Sequence, residues 1–446
     1  MIQNDKERQL ITLETNLQEK KDQKVLKTKE GMPPAKTLDQ YAEIVGPQII
    51  EELVRLGNEI KGLKVQQVNS ARFGGGVAEM LRSIIPLERV LGLDMNWEVI
   101  TGNIDFFNYT KTIHNFIQGK MGIPDLVGTK VYWDTNKANF KLIDQDADII
   151  LIHDPQPAGM IKFLDTAIRK KQKWIWRCHI QLLPKDFFVT EFLRTLIESY
   201  DATIFSSPQF LPPWKVPSIL ILPYIDPLSD KNKELTKQEI QAVLDKFRIE
   251  DPKKKPLLTL VSRFDPFKGH LAAIEAFKKI RKIIPCQLLL AGGTAYDDPE
   301  NIRIFDELAD KSKNIPDVML LNLPPDSHIE INAFQRASTI ILQPSVKEGF
   351  GLTVSEGMWK EKPVIGGNTG GIPAQIIDGY NGFLITPGEK CIPEMIERII
   401  YPLEHPMSAR EMGKRGREGV KERFLVTRGI YDELCLFRNL ICNLEI

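Results

Sequence analysis

Asp148-Ile149-Ile150-Leu151-Ile152-His153 sets four aliphatic residues in a row between an acid and a histidine. No polar–apolar alternation marks the run, so both of its faces need cover. That is the pattern of a central strand in a parallel sheet clothed by helices on both sides. The runs at 174–179, 203–206 and 218–222 repeat it downstream. Upstream, 63–69 and 96–102 read as strands, with the loop Phe73-Gly74-Gly75-Gly76 and a helix from Val77 to about Leu91 between them. Apolar residues at helical spacing (Ile44, Val45, Ile49, Ile50, Leu53, Val54, Leu56) predict one helix over 37–61. Strands alternating with helices imply an α/β fold.

The second half restarts the alternation. Pro252-Lys253-Lys254-Lys255-Pro256 breaks the chain before a strand at 257–262. A helix at 270–283 and strands at 287–291, 317–321, 338–343 and 363–366 follow. The reading is two Rossmann-like domains facing across a cleft, at 37–226 and 245–420, joined near 223–238. Residues 1–36 form a charged extension, and a C-terminal helix at 421–446 completes the first domain. Ligands of open α/β sheets bind beyond the C-terminal ends of the strands. His153, His179, Arg263 and Glu348 all fall at such ends.

The 446 residues suit two or three domains at roughly 150 residues each. There are 59 basic and 59 acidic residues, so no global field favours nucleic acid or an anionic membrane. No run of about 18 apolar residues occurs, which argues against a membrane span. The charged start Met-Ile-Gln-Asn-Asp-Lys-Glu-Arg does not resemble a signal peptide. Five scattered cysteines without a CxxC point to reduced thiols and a cytoplasmic protein.

Two constellations carry chemistry. In Ser262-Arg263-Phe264-Asp265-Pro266-Phe267-Lys268-Gly269, an arginine fork and a lysine point charge suit a diphosphate. In Glu348-Gly349-Phe350-Gly351-Leu352-Thr353-Val354-Ser355-Glu356, two carboxylates flank a glycine turn and suit sugar and ribose hydroxyls. Backbone N–H groups of Gly349-Phe350-Gly351 suit sugar or phosphate. Gly75 and Gly76 open a helix, where unpaired N–H groups face an anion, although the loop is no GxGxxG fingerprint. Each feature also has a plain alternative: surface charges, a tight turn, or a hydrogen-bonded strand-end histidine. His114, His270, His328 and His405 stand in no comparable setting. No histidine or carboxylate cluster has metal-ligand spacing, and no GxSxG elbow occurs.

These motifs together resemble the retaining nucleotide-sugar glycosyltransferases of GT-B architecture, in the glycogen-synthase-like group. Val68-Asn69-Ser70, Gly74-Gly75-Gly76-Val77-Ala78-Glu79, His153-Asp154-Pro155-Gln156-Pro157, Trp176-Arg177-Cys178-His179-Ile180 and Asn332-Ala333-Phe334-Gln335-Arg336-Ala337 narrow the resemblance to the trehalose glycosyltransferring synthases, relatives of the trehalose phosphorylases. It covers roughly 38–440. It implies reversible glucosyl transfer from a nucleoside diphosphate glucose to free glucose, giving α,α-trehalose. By resemblance, Arg263 and Lys268 hold the diphosphate, Glu348 meets the donor glucose, and Glu356 meets the ribose. Gly75, Gly76, Gly349, Phe350 and Gly351 line the donor phosphate and sugar, His179 lies beside the anomeric carbon, and Asp154 and Gln181 face the acceptor. The family pattern has Asp after the His-Ile pair, where this chain has Gln181, which leaves the acceptor open. No tightly bound cofactor is implied; Mg²⁺ enters only as an optional counter-ion of the nucleotide. A homodimer is compatible with the sequence. A phosphorylase using inorganic phosphate is the alternative. A nicotinamide oxidoreductase lacks its fingerprint, and the intact charged motifs argue against a non-catalytic sugar binder.

Overall fold

The computed structural model describes residues 36–72, 75–119, 125–182, 187–293, 299–388 and 390–444. Most of the charged extension, Phe73 and Gly74, and the last two residues of the expected C-terminal helix lie outside that set. Two six-stranded sheets, each wholly parallel, make two lobes. The first runs β2-β1-β3-β4-β5-β6, from β1 (Lys64–Asn69), β2 (Asp94–Val99), β3 (Ile149–His153), β4 (Lys173–Cys178), β5 (Ala202–Phe205) and β6 (Ser218–Leu220). The second runs β12-β11-β10-β7-β8-β9. Its strands are β7 (Leu257–Val261), β8 (Gln287–Gly292), β9 (Val318–Asn322), β10 (Ile340–Gln343), β11 (Val364–Gly367) and β12 (Phe383–Ile385).

The aliphatic run forms β3, and every residue of it is buried. It lies between β1 and β4, which explains why neither face shows a polar alternation. Strand order reverses between β1 and β3 in the first lobe and between β7 and β10 in the second. A crevice opens at each reversal, because the loops after the two adjacent strands leave in opposite directions. The loop after β7 carries Arg263 and Lys268; the loop after β10 carries Glu348. The sheet order therefore makes sequence-distant motifs neighbours.

Three local expectations need correction. The single helix over 37–61 is two helices, Leu38–Val45 and Pro47–Glu59. Gly46 between them has φ 94°, and Pro47 has no N–H to continue the first ladder. The strand expected at 96–102 is β2, set two or three residues earlier. The helix expected at 421–446 is Val426–Ile441.

That last helix returns to the first lobe. Ile430, Leu434 and Phe437 share a core with Leu53, Ile84 and Leu151. Arg177 of β4 donates to Glu433 at 2.6 Å in a buried pair, and the Tyr224 hydroxyl donates to the same oxygen at 3.3 Å. The two chain crossings run side by side. The Ile225 N–H donates to the Phe424 carbonyl, and the Val426 N–H donates back to Ile225, both at 2.9 Å. This paired crossing forms a narrow hinge between the lobes.

Candidate active site

β7 ends at Val261, and the chain turns at once. The Asp265 side chain accepts from the Phe267 N–H, starting a short helical turn, Pro266–Lys268, that raises Lys268 toward β10. Lys268 Nζ donates to Glu348 Oε2 at 2.7 Å. The same oxygen accepts from Ser345 Oγ at 3.0 Å and Gln343 Nε2 at 3.2 Å. Glu348 is thus held rigidly, with three donors on one oxygen. Arg263 differs: its side chain is exposed and has no ion-pair partner among the described residues. Its charge nevertheless reaches the opposite lobe. Burial, then Lys111 and Arg263, push His114 of the helix Ile104–Ile117 down to about 3.

Gly351 has φ 84° and caps the helix Leu352–Trp359. A left-handed residue there costs glycine little and other residues more. Phe350 is buried in the hinge core with Ile225, Phe424 and Leu425. Gly349 meets the facing lobe: a Cβ on it would lie 2.3 Å from the His179 carbonyl oxygen. The Glu348 N–H points to Gln181 Oε1 at 3.4 Å. The lobes therefore touch at the loop that bears Glu348. In the first lobe, Gly75 has φ 90° and caps the helix Gly76–Val90, and Gly76 packs against Leu352 of the second lobe.

At the first-lobe switch point, His153 ends β3 and His179 follows β4 directly. His153 Nδ1 lies 2.9 Å from His179 Nε2, with the rings inclined by 18°. His153 Nε2 lies 2.7 Å from Gln67 Oε1 of β1. Burial, helped by the Arg177 charge, holds both imidazoles well below the ordinary histidine range, so both are neutral near pH 7. Asp154 has φ 63°, an uncommon conformation for a non-glycine residue. Its Oδ1 accepts the His179 N–H at 2.8 Å. Burial pushes its carboxyl up to about 7, although the His179 N–H and Arg177 oppose the shift.

Glu356 stands apart from Glu348. It lies in the second turn of its helix and is 1% exposed. Lys231 Nζ sits 3.0 Å from its Oε1, and Gln335 Nε2 donates to its Oε2 at 2.9 Å. Burial works against ionisation, yet Lys231 and Lys360 outweigh it and hold the carboxyl below its ordinary range. Lys231 comes from the inter-lobe segment and also pairs with Glu79 of the first lobe at 3.0 Å. A ribose at Glu356 must displace or share these partners.

The resemblance sets Gln181, two residues past His179, on the acceptor side. β4 ends at Cys178, so no strand carries Gln181, whose side chain spans to the Glu348 backbone. Two histidines set aside on sequence are not idle. His270, buried below the Arg263 turn, lies 3.1 Å from Ser262 Oγ, and His114 feels Arg263. Lys231, Gln335 and Gln67 were missed. Lys231 sits in the charged stretch Ser229-Asp230-Lys231-Asn232-Lys233, which by itself reads as a solvated linker. Gln335 was visible inside the Asn332–Ala337 motif but carried no assigned role.

Two parallel-sheet lobes with cationic and carboxylate loops meeting at the switch points define a GT-B glycosyltransferase. The family models agree: "Trehalose synthase, N-terminal domain" matches residues 67–212 and "Glycosyl transferases group 1" matches 244–419. Trehalose synthase of Pyrococcus horikoshii is 43% identical over 406 residues, covering 90% of this chain and 95% of that protein. The chain belongs to the trehalose synthase family. A trehalose phosphorylase of Pleurotus pulmonarius is 30% identical over 403 residues, covering 79% of this chain but 54% of that longer protein. Among solved structures, an Anabaena protein in complex with UDP and glucose superposes with TM-score 0.62 at 16% identity, over 85% of this chain and 98% of that one. No helix among the described residues is long and apolar enough to cross a membrane.

Proposed function

We propose that the protein moves glucose from a nucleoside diphosphate glucose to free glucose, with retention at the anomeric carbon, giving α,α-trehalose reversibly. The observation that carries this reading is the Lys268–Glu348 pair. A cation suited to diphosphate and a carboxylate suited to sugar hydroxyls share one hydrogen bond, against the His179 segment of the facing lobe. The trehalose synthase relatives support trehalose as the product. The Anabaena protein, whose complex holds UDP and glucose, supports a nucleotide-linked donor.

In the reaction, the bond from glucose C1 to the β-phosphate oxygen breaks. A bond from C1 to the acceptor hydroxyl oxygen forms on the same face, and the acceptor proton passes to the departing phosphate. Arg263 and Lys268 stabilise the charge that grows on that phosphate. A preorganised donor of this kind contributes about 3 kcal/mol to the transition state. Lys268 exchanges its bond to Glu348 for phosphate as the donor enters, which opens one accepting position on the Glu348 carboxylate for a donor-sugar hydroxyl while Ser345 and Gln343 still hold Oε2. Asp154 and Gln181 bound the acceptor side, Gly75 and Gly76 close over phosphate, and Glu356 receives the ribose. Lobe contact excludes water that would otherwise hydrolyse the donor. Mg²⁺ is an optional counter-ion of the nucleotide and would take no ligand from the protein in this scheme.

The test is incubation with UDP-, ADP- and GDP-glucose plus glucose, followed by identification of the disaccharide and its linkage. α,α-Trehalose from at least one donor is expected. A different linkage, or none, would overturn the reading. Trehalose cleavage by inorganic phosphate in a parallel arm would instead establish the phosphorylase chemistry.

A further inference from the structure

Gln67, His153 and His179 form a line of hydrogen bonds from β1 through β3 to the segment after β4. Gln67 is fully buried, and its amide nitrogen has no partner among the described residues. His153 is 2% exposed. Its two nitrogens are both engaged, one with Gln67 Oε1 at 2.7 Å and one with His179 Nε2 at 2.9 Å. His179 is half-buried at the cleft, and its Nδ1 makes no hydrogen bond among the described residues.

A neutral imidazole has one N–H and one lone pair. The Gln67 carbonyl can only accept, so His153 carries its proton on Nε2. His153 Nδ1 is then a lone pair and must receive a proton from His179 Nε2. That leaves His179 Nδ1 bare. The direction of every bond follows from which atom of the Gln67 amide faces His153. With the amide turned over, each proton would shift to the other nitrogen, and His179 would offer an N–H in place of a lone pair.

We propose that Gln67 and His153 are positioning residues that hold His179 as its Nε2–H tautomer, so that Nδ1 stands free to accept a hydrogen bond from a sugar hydroxyl. This rests on the glucosyl-transfer reading for the identity of the hydroxyl, but the tautomer itself does not. His153 fixes both the ring angle and the proton position of His179 through one contact, and Gln67 fixes His153. A sugar hydroxyl that donates to Nδ1 keeps its oxygen lone pairs for other partners in the cleft.

The test is ring nitrogen NMR of protein labelled with ¹⁵N-histidine, practical because the chain has six histidines. Assignment uses His153→Asn and single substitutions of the other histidines. In the wild type, His153 and His179 are both expected as Nε2–H tautomers, neutral at pH 7. His153→Asn, whose side-chain oxygen still accepts from His179, keeps that tautomer. His153→Leu and Gln67→Leu release it to a mixture, and turnover falls by about tenfold or more while the donor KM stays within about twofold. An Nδ1–H tautomer for His179 in the wild type overturns the proposal, and that spectrum decides even if a Leu variant fails to fold. Folded Leu variants with turnover within twofold of wild type also overturn it. Failure to make trehalose with a correct tautomer would sink the transfer reading and leave the hydrogen-bond line standing.

Discussion

Lys268–Glu348 and Lys231–Glu356 are both lysine–glutamate pairs, and their glutamates are eight residues apart, yet the two work in different surroundings. The first joins two loops of one lobe at the mouth of the cleft, with side chains 15% and 10% exposed. The second joins the inter-lobe segment to a helix whose glutamate side chain is 2% exposed, and Lys231 reaches on to Glu79 of the other lobe. An exchangeable pair at a cleft suits chemistry, because substrate groups can replace either partner. A buried pair shared by both lobes suits architecture, since an uncompensated buried charge costs about 3–5 kcal/mol. Identical residue types thus divide into a cleft pair, which the proposed reaction engages, and a hinge pair, according to burial and connectivity.

The sharpest way to break that division is to truncate the cleft cations. Lys268→Ala and Arg263→Ala are each expected to lower turnover by about 100-fold or more, with the circular dichroism spectrum and melting temperature near wild type. Turnover close to wild type in both would remove the diphosphate role and with it the distinction.

Exchanging the glutamates comes next. Glu348→Ala is expected to cut turnover by at least about tenfold with little change in nucleotide affinity. Glu356→Ala should instead raise the nucleotide KM and lower stability by about 1–3 kcal/mol, because Lys231 keeps Glu79 but loses its buried partner. Denaturant unfolding and initial-rate kinetics on the same samples separate the two. A stability loss confined to Glu348→Ala would reverse the assignment.

Gly349→Ala probes lobe contact beside the cleft pair. Its Cβ would lie 2.3 Å from the His179 carbonyl, so the lobes must part slightly. An expected fall of about tenfold in kcat/KM, with each lobe still folded, checks that closure matters at this point. Small-angle scattering unchanged together with full activity would show that the contact is dispensable.

The smallest effect concerns the hinge pair's neighbour. Burial pulls Lys360 down to about 7, against the attraction of Glu356 and with the repulsion of Arg336 and Lys231. Its Nζ donates to Asn232 Oδ1 at 2.8 Å and to the Glu356 carbonyl at 3.3 Å. Between the folded value near 7 and the unfolded value near 10.5, the unfolded chain binds more protons, so this group adds stability as pH rises. The melting-temperature advantage of wild type over Lys360→Met should therefore grow from pH 7 to pH 9.5. A constant difference would mean that Lys360 is charged in the fold.

Much of the fold was legible because parallel strands buried on both faces leave uninterrupted aliphatic runs, as in β3 and in Leu288–Ala291 of β8. β12 spans three residues, too few for a pattern, and the break at Gly46-Pro47 was hidden inside a good helical period. The positions of the cationic turn after β7 and of the glutamates around Gly349-Phe350-Gly351 at strand ends were also readable, although surface charge or a tight turn fits the same residues. What the chain could not announce was pairing. Lys268 and Glu348 meet because strand order reverses between β7 and β10, and Gln67, His153 and His179 meet because β1, β3 and β4 are adjacent. Lys231 looks like any linker lysine until the folded hinge carries it against Glu356 and Glu79. Residue type and local period are properties of neighbouring positions along the chain. Burial and partnership depend on sheet order and lobe contact, which join positions tens to hundreds of residues apart, and only the tertiary structure decided those.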